Sequence, residues 1–415
     1  MKIITVKNSK PNILLLSLFI ATGCVYGQKY SSELTINNVR QVVNDAAQWQ
    51  INNMPTAGRT IEYNPQYRGW ADGVFLSALA DWAEYDKNRT LIEWYEDIAY
   101  KNQWEVGHRS LNTANDIAVS LAYAKIWMKD KKSRYLISKI ENWDGNTIKL
   151  LAGGWGPLIP TIERLDYQMK NYPKTDNIIF ETAVNQERWC WCDALYMAAP
   201  TYALYANITG NDEYREFMNR EFWVTMETLY DKKERLVYRD TRFFDKQEAN
   251  GEKVFWGRGN GWVIGSFARV MNFIPADYPS RPRYEKTFCE IMSRIITLQD
   301  SNGYWHTSML DPASFPSPET SASGFFTYGL WWGINNGLLD EKYLEHAVKA
   351  WQAMVKAVQP NGMLGYVQPI GDAPQNVSAV KNEVYGTAAF MLAGLEVVKY
   401  LKEKGETGIN KIPAK

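Results

Sequence analysis

Two kinds of apolar pattern alternate along the chain. Six segments have one charged face and carry apolar residues at helical spacing, as Ala347, Val348, Trp351 and Val355 do. These segments span residues 35–52, 88–102, 134–150, 211–230, 281–299 and 340–358. Because one face is charged, the six are predicted to form an outer layer of helices exposed to solvent.

Six other segments are apolar nearly all round and rich in glycine, alanine and serine, which is typical of closely packed, buried helices. Each follows a polar or aromatic loop; the runs are VFLSALADW, IAVSLAYAKIW, the stretch after Asp193, VIGSFARVM, FFTYGLWWGI and AAFMLAGLEVV. Six inner helices alternating with six outer ones predict an all-α (α/α)6 barrel. Short β-like pieces are expected in rim loops, at residues 236–240 and 362–366.

In such a ring the inner helices all run the same way, so the loops before them converge on one mouth. That mouth is predicted to hold Trp70, Asp116, Trp189, Asp193, Arg258, Trp262, Ser321 and Tyr385. The links at about 153–188, 231–257, 301–318 and 359–381 are longer than ordinary helix connections. Loops of that length are usually functional, so the site is expected at this end of the barrel.

The N-terminal segment predicts export. Lysines precede a short apolar core at 13–21, which is too short to span a bilayer. Residues 1–27 are predicted to be a signal peptide, which leaves 28–415 as a single barrel domain. Alternatively, 1–23 is a lipoprotein signal and Cys24 becomes a lipid anchor. Either reading places the protein in the periplasm of a bacterial cell, with membrane contact only through Cys24.

The net charge and the small number of histidines and cysteines limit the kinds of partner that the chain is expected to bind. The chain of 415 residues has 46 basic and 46 acidic side chains, so nothing indicates a nucleic-acid surface. Three histidines are scattered, and the three cysteines after Cys24 are too few to predict a disulfide framework. We therefore expect no metal and no cofactor, and an anionic ligand would need local basic residues.

Asp193 and Asp116 each stand at the start of an inner helix, where aspartate is a favoured N-cap. A second interpretation is chemical, because Asp193 follows Trp189 and Trp191. Burial among aromatic rings, or a second carboxylate nearby, raises a carboxyl pKa, and a protonated aspartate is what a general acid requires. The residues alone leave capping and proton transfer both open.

Two further stretches are candidates for ligand contact. The run Trp256-Gly257-Arg258-Gly259-Asn260-Gly261-Trp262 is interpreted as a glycine-rich loop that lets backbone approach a ligand, with the Arg258 fork available for a carboxylate. Its alternative is a tight loop whose arginine pairs with a local acid such as Asp245. His306 is either a polar wall of the pocket or a hydrogen-bonded loop histidine, and Glu319 either caps the fifth inner helix or contacts ligand.

At this point the strings WCDALYMAAP, FWGRGNGWV, GYWHTSMLDP, ETSASGFFTYGL and NEVYGTAAF resemble the unsaturated glycanuronyl hydrolases. The resemblance is to glycoside hydrolase family 105, the unsaturated rhamnogalacturonyl hydrolases, and to the related family 88. It runs from about residue 40 to 400 and implies the same (α/α)6 barrel. It also implies a substrate, a small anionic oligosaccharide that ends in a 4,5-unsaturated uronic acid left by a polysaccharide lyase.

The resemblance implies roles for individual residues. Asp193 matches the catalytic aspartate, which protonates C4 of the enol ether and then acts as base for water addition at C5. Asp116 matches a second aspartate that holds substrate or water and keeps Asp193 protonated. The expected substrate-binding residues are Trp256, Arg258, Trp262, Trp70, Trp189 and His306.

One departure bears on the substrate. Rhamnogalacturonyl members are expected to carry a His-Lys pair about ten residues before the catalytic aspartate, where this chain reads Thr182-Ala183-Val184-Asn185-Gln186. The aglycone sugar therefore stays open. Alternative functions are an inverting (α/α)6 glycosidase on saturated glycans, a sugar epimerase, or a glycan-binding protein without catalysis, because fold alone does not decide among them.

Overall fold

The alternation of buried and amphipathic helices is confirmed by the computed structural model, which describes residues 29–54, 67–107, 110–129, 156–173, 178–180 and 188–405. The described α-helices, in chain order, are α1 (Ile36–Asn52), α2 (Trp70–Asp86), α3 (Arg89–Lys101), α4 (Ser120–Lys129), α5 (Ile159–Lys170), α6 (Asp193–Thr209), α7 (Asp212–Leu229), α8 (Gly257–Met271), α9 (Arg281–Ile295), α10 (Thr320–Asn335), α11 (Leu344–Lys356) and α12 (Val384–Lys404).

The even-numbered helices form a closed inner ring. Each of α2, α4, α6, α8 and α10 packs against the next even-numbered helix, and α12 closes the ring against α2. The odd-numbered helices lie outside, where α1 packs on α12, α3 on α2, α7 on α6, α9 on α8 and α11 on α10. This is the predicted (α/α)6 barrel.

Small residues explain how the inner helices approach each other so closely. A Cβ on Gly73 of α2 would lie 2.4 Å from the backbone nitrogen of Val119, just before α4. A Cβ on Gly324 of α10 would lie 2.8 Å from the Cβ of Ala389 in α12. The outer helices instead bury one stripe, as α11 does with Ala350 and Met354. The composition of each helix therefore fixes its layer.

The predicted third outer segment, 134–150, lies outside the described residues and stays a prediction. A further helix, α5, lies within what was interpreted as a long link, at residues 153–188. Thr161 of α5 donates to Ser120 Oγ at 3.0 Å, and the hydroxyl of Tyr214 in α7 donates to Asp166 at 2.5 Å. The buried set Ile159, Ile162 and Leu165 has helical spacing that the link assignment overlooked.

Several inner helices begin earlier than predicted. The glycine-rich run at 257–262 is not a loop but the first turns of α8. Its glycines serve packing, because a Cβ on Gly257 would lie 2.4 Å from the carbonyl oxygen of His306. Likewise α10 begins at Thr320 and α12 at Val384, within segments predicted to be loops.

The rim loops carry little sheet, as expected. Strand β1 (Tyr230–Asp231) pairs antiparallel with β2 (Leu236–Val237). Isolated bridges join Trp191 to Asp240, Trp256 to Ser308 and Val358 to Leu364. The first two bridges fasten long links to the residues just before α6 and α8, at the end of the barrel where the site lies.

Helix α12 is the one described helix long and apolar enough to cross a membrane by length and composition. In the barrel 89% of its apolar window is buried against protein. Its apolar surface is therefore accounted for by its place in the inner ring.

Candidate functional site

The N-terminal ends of the inner helices meet at one end of the barrel. Trp70, the first residue of α2, stacks on Tyr385 of α12 with ring centroids 5.5 Å apart and an angle of 17° between the planes. The edge of Trp262 in α8 lies against Trp70 at 6.2 Å. Three inner helices from different parts of the chain therefore share one mouth, as the repeat predicted.

Asp193 is the first residue of α6. The N-cap position belongs to Cys192, so capping does not explain the Asp193 carboxylate, although a negative charge in the first turn suits the helix dipole. The Asp193 side chain is 14% exposed. A carboxylate that lies mostly buried at a helix N-terminus, yet retains access to the mouth, fits a proton-transfer role better than a capping one.

The surroundings of Asp193 act on its pKa in opposite directions. Burial raises the pKa of this carboxyl, and the Arg239 guanidinium, the Cys192 thiol and Arg258 oppose that rise without cancelling it. Arg239 Nε lies 3.6 Å from Asp193 Oδ2, and Cys192 Sγ lies 3.4 Å from the same oxygen. The raising influence is thus burial, and the neighbouring charges that act most strongly are arginines rather than a second carboxylate.

Arg239 was not predicted as a site residue. It is placed beside Asp193 by backbone pairing, because the Cys192 amide donates to the Arg239 carbonyl at 2.9 Å next to the Trp191–Asp240 bridge. The guanidinium lies 4.6 Å from the centre of the Phe180 ring. The signal in the sequence was the charged pair Arg239-Asp240 directly after the β-like run Leu236–Tyr238.

Asp240 holds this arginine and a second one. It is fully buried, and it accepts from Arg239 Nη1 at 2.6 Å and from Arg242 Nε and Nη2 at 2.9 Å each. Burial would raise the pKa of Asp240, but the hydrogen bonds from Arg242 and Arg239 outweigh burial and hold it below its ordinary value. Arg242 Nη2 also donates to Asp372 at 2.8 Å, which joins the 231–257 loop to the 359–381 loop.

Arg258 is engaged differently from either prediction. It is 1% exposed, and its fork donates to the carbonyls of Gln368 at 2.8 Å and Pro369 at 3.0 Å rather than to Asp245. Gln368 is itself held by Trp256 Nε1, which donates to its Oε1 at 2.8 Å, and its carbonyl accepts from the Tyr385 hydroxyl at 2.6 Å. Arg258 therefore anchors the 359–381 loop onto α8 beside Asp193.

Glu319 resolves as a helix cap. Its carboxylate accepts from the amides of Ser321 at 3.0 Å and Ala322 at 2.7 Å, and from the Gln368 amide at 3.0 Å. It is fully buried. Glu319 thus fixes the start of α10 and a second point of the 359–381 loop, and it is more deeply buried than Asp193.

Asp116 lies in a 3₁₀ turn, Ala114–Ile117, that packs on α6 through a hydrogen bond of 3.4 Å from Thr201 Oγ1 to the Ile117 carbonyl. Its carboxylate accepts from the Ser110 amide at 3.0 Å and lies 3.6 Å from Arg164 Nη1. The structure thus places Asp116 in a turn that packs on α6, the helix that begins with Asp193, and gives it an arginine partner, Arg164.

Three of the four predicted substrate-binding tryptophans are buried, and Trp256 is one of them at 1% exposed. Trp189 is 1% exposed and packs against Tyr202 and Phe217. Trp262 is fully buried between Tyr196 and Phe325. Their positions suit support of the pocket wall and give no support to direct stacking on a sugar, a role that Trp70 remains placed to play.

His306 lies beside the start of α8, but its ring is held within its own loop. Nδ1 lies 3.1 Å from the Phe315 carbonyl and 3.0 Å from the Ser317 carbonyl, and Nε2 lies 3.5 Å from Asp300 Oδ2. The hydrogen-bonded loop histidine is therefore the interpretation that its contacts favour. His108 and the departing stretch 182–186 lie outside the described residues.

A cavity of about 740 Å³ lies on the outer layer, between α7 and α9. It is lined by residues such as Trp223, Tyr230, Arg235 and Arg283. None of the residues around Asp193 contributes to it, so its size says nothing about the candidate active site.

Comparisons with known proteins agree with this architecture. The sequence profile of Glycosyl Hydrolase Family 88 matches residues 42–150 and 158–401. An unsaturated 3S-rhamnoglycuronyl hydrolase of Formosa agariphila is 37% identical over 338 residues, which are 80% of this chain and 84% of that protein.

Two solved structures superpose equally well. A family 88 glycosyl hydrolase from Bacteroides vulgatus has a TM-score of 0.73 at 28% identity, over 88% of this chain and all of that one. A protein described as a polysaccharide lyase has the same TM-score and identity, over 88% of this chain and 98% of that one. The resemblance read from the motifs is confirmed: the chain belongs to glycosyl hydrolase family 88.

Proposed function

We propose that this chain removes a terminal 4,5-unsaturated uronic acid from oligosaccharides that a polysaccharide lyase has released. Membership of family 88 and the relative named as an unsaturated rhamnoglycuronyl hydrolase support a glycosidase of this type. The observation within the site that carries the proposal is Asp193, a largely buried carboxyl whose pKa is raised by burial and which lies 3.6 Å from Arg239.

Asp193 is assigned both proton transfers. Its protonated carboxyl gives a proton to C4, the C4=C5 pair forms the new C–H bond, and positive charge develops at C5 and the ring oxygen. Water adds at C5, and the Asp193 carboxylate takes the proton that the water loses. The C5 hemiketal then opens to a ketone, and the hemiacetal left at C1 expels the second sugar as an alcohol.

The electrostatic setting suits this cycle. A group that must be an acid first and a base second needs a pKa near the working pH. Burial moves the pKa of Asp193 upward from the acidic range, and the arginines limit the rise. One carboxyl can therefore serve both steps, whereas an inverting glycosidase needs two carboxyls with room for a water between them. Asp116, held against Arg164, is proposed to position substrate or water.

A lyase is the second candidate, because one equally similar structure is described as a polysaccharide lyase. A lyase creates the C4=C5 double bond and a hydrolase of this type consumes it. The two activities therefore change ultraviolet absorbance in opposite directions.

The proposed substrate is an unsaturated uronate linked to rhamnose, on the strength of the Formosa relative's name. The protein is proposed to act outside the cytoplasm, since residues 1–27 resemble a signal peptide and Cys24 offers an alternative lipid anchor. Both the signal segment and Cys24 lie outside the described residues.

The test follows three substrates: an unsaturated disaccharide, its saturated counterpart and the intact polysaccharide. Unsaturated uronyl-rhamnose disaccharide should lose its ultraviolet absorbance, and the saturated disaccharide should remain intact by chromatography. Absorbance that rises on intact polysaccharide would establish the lyase instead. Cleavage of the saturated disaccharide would establish an ordinary glycosidase.

A further inference from the structure

The guanidinium of Arg239 is held by two neighbours, and within the described part of the chain one of its N–H groups makes no hydrogen bond. Asp240 accepts from Nη1 at 2.6 Å, and the Phe180 ring lies 4.6 Å from the guanidinium carbon. The side chain is 10% exposed, yet Nε has no hydrogen-bond partner among the described residues. That Nε lies on the side of Asp193, at 3.6 Å from Oδ2. A fixed, buried donor of this kind is suited to receive an anion.

The ion pair opposes the first catalytic step. A positive charge close to a carboxyl favours its ionised form, whereas protonation of C4 requires Asp193 to be neutral. The proposed substrate carries a carboxylate on C5, the carbon next to the one that accepts the proton. An anion there would lie close to both Asp193 and Arg239.

We propose that Arg239 is a positioning residue through which the substrate's own carboxylate sets the protonation of Asp193. In the free enzyme Arg239 pairs with Asp193. In the complex the uronate carboxylate engages Arg239, cancels its charge at Asp193, and leaves Asp193 neutral and ready to donate. This inference rests on the proposed function and goes beyond it, because it makes the acid effective only when an anionic substrate is bound.

The two neighbouring groups that could also titrate, Cys192 and Tyr385, do not compete with Asp193 at moderate pH. Burial raises the pKa of both the Cys192 thiol and the Tyr385 phenol well above their usual ranges, so both stay neutral. Asp240 stays ionised between its arginines. Among the described residues, the other charged groups at this end of the barrel include Arg258, Arg242, Glu319 and Glu383, and Asp116 with Arg164.

The test compares two pH profiles on the unsaturated uronyl-rhamnose disaccharide. Activity needs neutral Asp193, so it falls as pH rises; the falling limb of kcat/KM reports free enzyme and that of kcat reports the complex. In the wild type the falling limb of kcat should lie about 1–3 pH units above the falling limb of kcat/KM, which is the size of shift that a nearby charge causes. In Arg239→Gln the falling limb of kcat/KM should shift to higher pH until it coincides with that of kcat, and KM should rise.

Two matched variants serve as controls. Arg242→Gln removes a guanidinium that shares the Asp240 carboxylate and the Phe180 ring but is directed toward Asp372, and the two limbs should stay separated. Arg239→Lys keeps the charge and should keep most of the separation. A methyl-esterified substrate lacks the anion, so the falling limb of its kcat should lie at the same pH as the falling limb of kcat/KM.

Coincident limbs in the wild type would overturn the inference. So would an Arg239→Gln variant that loses kcat or stability while both limbs stay in place, because that is the result of a merely structural role. If the wild type does not consume the unsaturated disaccharide at all, the proposed function fails. Turnover that depends on Asp193 but shows unshifted limbs removes this inference alone.

Discussion

Asp240→Asn perturbs the buried charge cluster that holds Arg239 in place. The Asp240 carboxylate accepts four hydrogen bonds, one from Arg239 Nη1 at 2.6 Å and three from the amide, Nε and Nη2 of Arg242, each at 2.9 Å. Asparagine keeps the shape but removes the charge. Its NH₂ group also replaces one of the two accepting oxygens, so that a donor faces a guanidinium.

The expected loss of stability follows from exposure. Removing one partner of a buried ion pair costs about 3–5 kcal/mol, since the other charge stays buried without compensation. Arg239, with a side chain 10% exposed, accounts for most of this loss. Arg242 is 37% exposed, so solvent screens its share. We therefore expect Asp240→Asn to lower the free energy of unfolding by about 3–5 kcal/mol at neutral pH.

The effect should depend on pH. Because the pKa of Asp240 is lowered in the folded state, its stabilisation is complete above its unfolded pKa near 3.8 and is lost as pH falls through the lower folded value. The difference between wild type and Asp240→Asn should therefore narrow below about pH 4. Urea unfolding followed by tryptophan fluorescence at pH 7 and pH 3 measures both quantities.

The control is Asp372→Asn, which removes the exposed acid that also pairs with Arg242 at 2.8 Å. Its side chain is 47% exposed, and exposed pairs contribute about 0–1 kcal/mol. If Asp240→Asn lost no more stability than Asp372→Asn, the cluster would not be the buried, tightly paired group described, and the argument that fixes Arg239 would be refuted.

Two further outcomes separate contact residues from packing residues. Trp70→Ala should raise KM by up to about tenfold with a smaller change in kcat, since ring contacts contribute about 0.5–1.5 kcal/mol. Trp189→Phe should instead lower the free energy of unfolding by about 0.5–3 kcal/mol and leave KM unchanged. Steady-state kinetics and urea unfolding of both variants measure these effects, and a tenfold change of KM in Trp189→Phe would contradict the assignment. Gly257→Ala should cost about 1–3 kcal/mol in urea unfolding, because its Cβ would lie 2.4 Å from the His306 carbonyl oxygen; a variant as stable as the wild type would show that this contact relaxes freely.

The barrel could be predicted because its signal is repeated. Apolar residues all round one helix and on one face of the next recur six times, and each recurrence supports the others. The helix boundaries were harder to predict from the sequence. The run from Gly257 to Gly261 reads locally as a loop, and only the close approach of the 301–318 loop and α10 shows why glycines stand in a helix.

The site was predicted in part, for a physical reason. Asp193 stands at a helix start, a place that the sixfold pattern identifies. Arg239 does not stand at a helix start. It lies next to Asp193 because a single backbone bridge joins residues 191 and 240, which are 49 residues apart. No local pattern encodes such a pairing. Arg258 was correctly placed at the mouth, but its partners are backbone carbonyls, which sequence does not reveal.

The central claim is that the proton on Asp193 carries out the hydration, and Asp193→Asn tests it most directly. Asparagine preserves the shape of the side chain and removes the transferable proton. The account predicts that the variant keeps the wild-type urea midpoint within experimental error or rises slightly, because a neutral group avoids the burial cost that raises the pKa of Asp193. Its kcat on the unsaturated uronyl-rhamnose disaccharide should fall by about 100- to 10,000-fold. A folded Asp193→Asn variant that consumes the double bond within a few-fold of the wild-type rate would contradict the account.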